Sequence, residues 1–185
     1  MNIIKSVTAV LVSAVISVPA MAETWEARSV PHGGMAYIGS ERFENTGLVF
    51  YAETTRNCDG RLVVMDSWNK GESEEAILGK QFGKLRIDGG TIWENDEVVT
   101  YRSEDKETGT LFSSITTLED GDELLNELKV GNNLIVQVAK QQSDKFSLTG
   151  FTKAYYEAVA SCGKALVESN AEWDTEYTSE GEWES

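Results

Sequence analysis

Short stretches of alternating apolar and polar residues, separated by turn residues, occupy most of the chain between residues 34 and 116. Such alternation predicts strands, because successive side chains of a strand point to opposite faces of a sheet. The apolar residues are mainly β-branched or aromatic, which favours strand over helix. The predicted strands are 34–38, 47–53, 61–67, 83–88, 91–94, 98–103, 110–116, 133–139 and 145–148.

Two segments of the C-terminal half have the spacing of amphipathic helices. The first begins near Asp120, where Asp120 and Glu123 have the capping-box spacing, and ends at Gly131. Its apolar face consists of Leu124, Leu125 and Leu128.

The second helix begins at Thr149 or Gly150, and we expect Gly163 to end it. Its apolar positions recur at intervals of three and four residues, as one continuous stripe. They are Phe151, Ala154, Tyr155, Ala158, Val159 and Cys162. The pattern as a whole predicts a mainly β fold with β-sandwich-like antiparallel sheets and two α-helices in the C-terminal half.

The N-terminus has the pattern of a secretory signal peptide. Lys5 precedes an apolar stretch from Val7 to Val18, and the segment 19–22 supplies the small residues of an A-x-A cleavage site. The alternative is a transmembrane anchor, but the stretch is shorter than the roughly 20 residues that span a bilayer. We therefore expect cleavage after Ala22, no membrane insertion afterwards, and a periplasmic or secreted protein.

Two cysteines in an exported chain are expected to form a disulfide. Cys162 lies on the apolar stripe of the second helix, so a bond to Cys58 would fasten that helix to the sheet. Neither cysteine belongs to a C-x-x-C sequence, which disfavours a redox role.

The composition changes at residue 168. From there to residue 185 the chain is rich in Glu, Ser and Thr and has no basic residue, which predicts a flexible acidic tail. Its three large aromatic residues leave docking onto a partner or onto the domain itself as the alternative. They are Trp173, Tyr177 and Trp183. The predicted organisation is a signal peptide at 1–22, one β-rich domain at 23–167 and the tail at 168–185.

The net charge of −15 limits the choice of partners. Nucleic-acid binding relies on Lys and Arg to displace counterions, so we expect no nucleic-acid partner. Neutral or basic proteins, or cations, are the partners that such a surface favours.

No residue pattern predicts a catalytic site, a cofactor site or a metal site. His32, the single histidine, lies in a predicted turn, 31–34, and one His with two oxidised Cys cannot ligate zinc. The acidic segment 119–123 lacks the EF-hand spacing, and helix capping explains it better. Trp68 and Trp93 are interpreted as packing residues.

Three C-terminal segments follow one another: the leucine-bearing segment ELLNELKVG at 123–131, the apolar segment LIVQV at 134–138 and the segment FSLTGFTKAY at 146–155. This order resembles the C-terminal half of the invasion-associated locus B family of exported bacterial proteins. Arg86-Ile87-Asp88 and Cys162 also match a similar layout in periplasmic accessory proteins associated with type VI secretion. The resemblance implies a β-sandwich-like fold with two helices and brings no catalytic residue.

The leading hypothesis is therefore a non-enzymatic exported protein that acts through protein contacts, in envelope or host-interaction biology. One alternative is a carboxylate-dependent hydrolase of cell-wall or carbohydrate material, which needs two carboxylates roughly 5 to 10 Å apart. Another is an acidic cation-binding module.

Overall fold

The computed structural model describes residues 24–69, 79–104, 108–139 and 143–178, with the backbone alone for 68–69, 79, 101–104, 108 and 170–178. Within these residues the chain forms nine strands, a short 3-10 helix and two α-helices. The strands are β1 (Glu26–Val30), β2 (Gly33–Gly39), β3 (Thr46–Glu53), β4 (Gly60–Asn69), β5 (Gly79–Ile87), β6 (Ile92–Glu104), β7 (Thr108–Leu118), β8 (Asn133–Val138) and β9 (Asp144–Ser147). The helices are η1 (Thr54–Arg56), α1 (Glu123–Val130) and α2 (Phe151–Thr178).

All the described strands belong to one antiparallel sheet in the order β1-β2-β3-β4-β7-β6-β5-β8-β9. The sheet curls until its two ends meet. The Trp25 indole N–H, next to β1, donates to the Ser147 carbonyl oxygen at the end of β9, at 2.8 Å. The Ser40 hydroxyl, just after β2, donates to the Asp144 carboxylate in β9. The curled sheet gives the predicted mainly β, sandwich-like fold.

The inner, concave face of the sheet holds the main core, and α1 and α2 both pack into it. Phe50 of β3 contacts Tyr155 of α2 with ring centroids 4.9 Å apart. Gly34 of β2 lies directly under the Ala158 carbonyl oxygen, so close that a Cβ at this position would overlap it. A glycine at this point of β2 therefore lets α2 approach the sheet backbone closely.

The predicted strands are confirmed with two differences. β1 was missed because its sequence, EARSV, contributes only one residue, Ala27, to the main core. The predicted strands 91–94 and 98–103 form a single strand, β6. Asn95 interrupts the apolar pattern, but its amide donates to the Ile115 carbonyl oxygen of β7, and this bond holds β6 in the sheet. The predicted loop 71–76 lies outside the described residues.

The predicted start of α1 is wrong. The N-cap is Asp122 instead of Asp120, and no side-chain capping bond forms. Asp122 instead accepts a hydrogen bond from the backbone N–H of Glu119 at 2.8 Å, which stabilises the turn before the helix. The predicted apolar face of α1 and its end at Gly131 are confirmed.

The predicted end of α2 is also wrong, because the helix continues past Gly163 to Thr178. A helical glycine costs only about 1 kcal/mol relative to alanine, and helix-forming Ala, Leu, Lys and Glu residues follow it. The backbone of 168–178 is thus helical, while the flexible or docked state of the tail stays a prediction. The side chains of Trp173 and Tyr177, the whole of Trp183 and the predicted signal peptide at 1–22 lie outside what the structure describes.

Candidate functional site

The predicted disulfide between Cys58 and Cys162 is present, with the two Cα atoms 5.8 Å apart. Cys162 is fully buried on α2, and Cys58 follows η1 in the connection between β3 and β4. The Cys58 backbone N–H donates to the Glu53 carbonyl oxygen at 2.9 Å, which anchors this connection to the end of β3. The bond therefore ties the middle of α2 to the connection between β3 and β4.

The connection that carries Cys58 has an unusual backbone. Asn57 and Cys58 both have left-handed conformations, with φ of 53° and 67°. Asn adopts this conformation readily, whereas for Cys it costs of the order of 1 kcal/mol. The crosslink and the hydrogen bond to Glu53 together hold the chain in this conformation.

A second apolar cluster lies on the opposite, convex face of the sheet, and we call it the outer-face cluster. Its buried members are Met35, Tyr37, Val49, Val63 and Met65, with Val30, Tyr51 and Phe112 packed at the margin. Tyr37, Val49 and Val63 are direct neighbours across β2, β3 and β4. Every member comes from a strand, and among the described residues α1 and α2 add their apolar side chains only to the opposite face.

Charged side chains at the margin of the outer-face cluster are paired within the domain. The Arg28 guanidinium lies 4.8 Å from the centre of the Tyr37 ring and donates to its hydroxyl, which in turn donates to the Glu26 carboxylate. Burial and the hydrogen bond to Glu26 raise the pKa of Tyr37, so its hydroxyl stays protonated at neutral pH. Arg61 and Glu53 form an ion pair on the same side of the sheet. These pairs neutralise the charges at the margin of the cluster, and its five central side chains are at most 8% exposed.

The signal for the outer-face cluster was present in the sequence. The segments 35–38, 48–52 and 62–65 are runs of apolar residues without polar interruption. Such runs are typical of strands that are covered on both faces, while a strand with one solvated face alternates. Sequence reasoning detected the strands but did not draw this second conclusion.

A buried carboxylate lies where the two ends of the sheet meet. Asp144 is 8% exposed, and burial raises its pKa although the Ser40 hydroxyl donates to it. The Ser40 oxygen also accepts hydrogen bonds from the backbone N–H groups of Arg42 and Phe43. These bonds close the sheet, so the role of Asp144 is structural.

The Asp88 carboxylate, in the segment Arg86-Ile87-Asp88, is also hydrogen-bonded within the domain. Asp88 accepts hydrogen bonds from the backbone N–H groups of Asn132 and Asn133, at 2.8 and 2.9 Å, and from both amide side chains. These bonds, that to the Asn132 backbone above all, lower the pKa of Asp88. Asp88 thus joins the turn after β5 to the segment between α1 and β8.

The remaining candidate residues lie in packing or turn positions. His32 is exposed in the β1–β2 turn with φ of 63°, as predicted, and its carbonyl oxygen accepts from the Thr54 N–H. The Trp93 indole is half-buried, and its N–H donates to the Glu127 carboxylate of α1 at 3.3 Å. For Trp68 the structure describes the backbone alone.

Within the described ranges, no three His, Cys, Asp or Glu side chains lie close enough together to hold a metal ion. No helix in the described part of the chain is both long enough and apolar enough to cross a membrane. Comparisons with protein-family models, with curated proteins and with solved structures found no match.

Proposed function

We propose that this chain is an exported, non-enzymatic protein of the periplasm or cell exterior that acts through protein contacts, and that the outer-face cluster is its contact surface. Two sequence features support export: the leader pattern at 1–22 and the resemblance to the invasion-associated locus B family. We propose kinship with that family on the same residues. Envelope or host-surface biology is the setting that this kinship implies.

The observation that carries the proposal is the apolar character of β2, β3 and β4 on both faces. Their inner residues fill the core under α2, and their outer residues form a second apolar cluster to which neither described helix contributes. A contiguous apolar patch on the outside of a sheet is typical of an interaction site where a partner can reach it. Methionine and tyrosine, both present here, are enriched in protein interfaces.

Charge narrows the kind of partner. The chain is strongly acidic, with a net charge of −15, which disfavours nucleic acids and anionic lipid surfaces. The most suitable partner is a protein with an apolar segment flanked by neutral or basic residues. Opposite charges around the patch would speed association, while the apolar centre would supply the affinity.

The two methionines that remain after residue 22, Met35 and Met65, both belong to the outer-face cluster. A photoactivatable methionine analogue therefore places a crosslinker on this face alone. Illumination of the labelled, processed chain with an envelope extract from the organism that produces it should yield a discrete protein adduct.

The matched control moves the crosslinker to another surface. In a Met35→Leu, Met65→Leu, Val167→Met variant, the analogue lies on α2 at a side chain that is 68% exposed. Leucine is close in volume to methionine, so the core cost is below about 1.5 kcal/mol per site. An adduct from the original positions and none from residue 167 supports the proposal. Equal adducts from both, or none from either, contradicts it.

A further inference from the structure

The two end strands of the sheet differ in how their free edges are occupied. Along the free edge of β9, three alternate carbonyl oxygens each accept a hydrogen bond from a group outside the strands. The acceptors belong to Ser143, Lys145 and Ser147, and the donors are the Arg42 guanidinium, the Glu41 backbone N–H and the Trp25 indole N–H, at 2.9, 3.0 and 2.8 Å. These donors take the positions that the N–H groups of another strand would occupy, so the edge of β9 is closed to another chain.

The edge of β1 differs because β9 meets the sheet beyond the start of β1. The contacts of β9 are to Trp25 and to residues 40–42, whereas β1 pairs with residues 33–37 of β2. Among the described residues, β1 pairs with β2 alone. Its residues Glu26, Arg28 and Ser29 are exposed. The edge of β1 is therefore the end of the sheet that another strand can reach.

The backbone groups of Ala27 and Ser29 point away from β2. The Ser40 N–H, which continues β2, donates to the Thr46 carbonyl oxygen of β3 at 2.8 Å. Since successive residues of a strand direct their backbone groups to opposite edges, the even-numbered residues of β2 bond to β3 and the odd-numbered ones to β1. The odd-numbered residues of β2 lie opposite the even-numbered residues of β1. The N–H and C=O groups of Ala27 and Ser29 are therefore directed to the free edge.

The outer face of β1 carries charges of both signs. The side chains of Glu26 and Arg28 are 49% and 44% exposed. An antiparallel pair of β1 strands centred on Ala27 places Glu26 of each copy opposite Arg28 of the other. Like charges on an edge strand oppose such pairing, whereas this alternation is complementary to itself. A guanidinium has five N–H donors, so the bond of Arg28 to Tyr37 leaves donors for a second carboxylate.

We propose that two copies of this chain associate through their β1 edges, antiparallel about a two-fold axis at Ala27. The dimer joins the two sheets into one, and Glu26 and Arg28 form two reciprocal ion pairs across the axis. Both outer-face clusters then lie on the same side of the joined sheet, so one partner can contact two of them at once. This inference goes beyond the proposed function, since it stands whether or not the outer-face cluster binds a partner.

Sedimentation velocity of the purified, processed chain tests the inference. This chain, 23–185, contains every residue that the structure describes. Two five-residue edges bury little surface, so we expect a weak dimer and a useful concentration range of roughly 10 to 500 μM. Salt at about 0.15 M screens the repulsion between two acidic copies beyond about 8 Å. The sedimentation coefficient should rise with concentration towards that of a dimer, and a single monomeric species throughout would overturn the inference.

Ala27→Pro blocks the edge without removing a hydrogen bond to β2. Proline lacks the backbone N–H, which at residue 27 points to the free edge, and proline is tolerated in edge strands. This variant should melt at a temperature close to that of the wild type and should stay monomeric at concentrations at which the wild type dimerises. Dimerisation as strong as that of the wild type would place the contact elsewhere and overturn the inference.

Exchange of the two charges tests the pairing and its register. Glu26→Arg alone, or Arg28→Glu alone, sets like charges opposite each other in both reciprocal pairs and should weaken the dimer about tenfold or more. An equimolar mixture of the two single variants should dimerise, because residues 26 and 28 are both basic in one chain and both acidic in the other. The chain that carries both substitutions should also dimerise, since its charges again alternate. Single variants that dimerise like the wild type, or a mixture and a double variant that stay monomeric, would contradict the proposed register.

These results are separable from the proposed function. Sedimentation uses the purified chain alone, whereas the crosslinking experiment detects proteins of an envelope extract on the outer-face cluster. A monomeric chain that captures a partner would overturn the dimer and leave the contact surface in place. A dimer without a partner adduct would do the reverse.

Discussion

Removal of the disulfide is the sharpest test of how α2 is held on the sheet. In the processed chain, Cys58→Ser with Cys162→Ser opens a crosslink between residues 104 apart in sequence. In the chain-entropy model, a loop of that size contributes about 4.8 kcal/mol at 25 °C. Native disulfides measured by deletion contribute roughly 2–5 kcal/mol, so we expect a loss of about 3–5 kcal/mol in the free energy of unfolding.

Urea unfolding at neutral pH, followed by tryptophan fluorescence, measures this loss. The wild-type chain under non-reducing conditions is the reference, and the Cys58→Ser, Cys162→Ser chain is the test. The m value should rise in the variant, because an uncrosslinked denatured chain exposes more surface. The melting temperature should fall by about 6–20 °C, given about 2–4 °C per kcal/mol for a domain of this size.

Two results would refute the reasoning. One is a variant within about 0.5 kcal/mol of the wild type, the level of an ordinary surface substitution. The other is mass analysis of the wild-type chain that finds two free thiols. Either would mean that packing of α2 on β2 and β3, and not the crosslink, fixes the helix.

Three further substitutions test the account elsewhere in the fold. Gly163→Ala should stabilise the protein by up to about 1 kcal/mol in thermal melts, because residue 163 is helical and has open space around it. A loss of stability would mean that the helix ends there. Burial raises the pKa of Asp144, so its charge opposes folding above that pKa and the penalty disappears as the pH falls through it. Asp144→Asn should therefore stabilise the fold at pH 7 and flatten the acid side of the pH–stability profile. Ser40→Ala should instead destabilise the fold by about 1–3 kcal/mol, because Asp144 loses a buried hydrogen-bond donor. Equal pH–stability profiles for the wild type and Asp144→Asn would contradict this reasoning. Gly34→Ala should lower the free energy of unfolding, measured with urea, by about 1–3 kcal/mol, because its Cβ would overlap the Ala158 carbonyl oxygen. A neutral substitution would mean that α2 lies farther from β2.

Much of the fold could be predicted from the local periodicity of apolar residues in the sequence. The stripe from Phe151 to Cys162 recurs at helical spacing, so both the helix and the burial of Cys162 could be predicted without tertiary information. Prediction was less successful where the end of a helix depended on a single residue. Gly163 can end a helix or continue one, and the choice depends on the conformation of its backbone, which the residue type does not specify.

The candidate site was harder to predict because it depends on register. Tyr37, Val49 and Val63 form one row on the outer face only because β2, β3 and β4 pair as they do. A shift of one residue in either pairing would move every side chain of the shifted strand to the opposite face. The apolar runs in these strands indicate two apolar faces, but they do not show which residues become neighbours.

The central claim is that the processed protein makes its contacts through the outer-face cluster. Oxidative footprinting of the processed chain, with and without an envelope extract from its native host, tests it most directly. The account predicts saturable protection of Met35 and Met65 by the extract and an unchanged rate at Tyr156. Unchanged methionine rates, or protection confined to Tyr156, would contradict it.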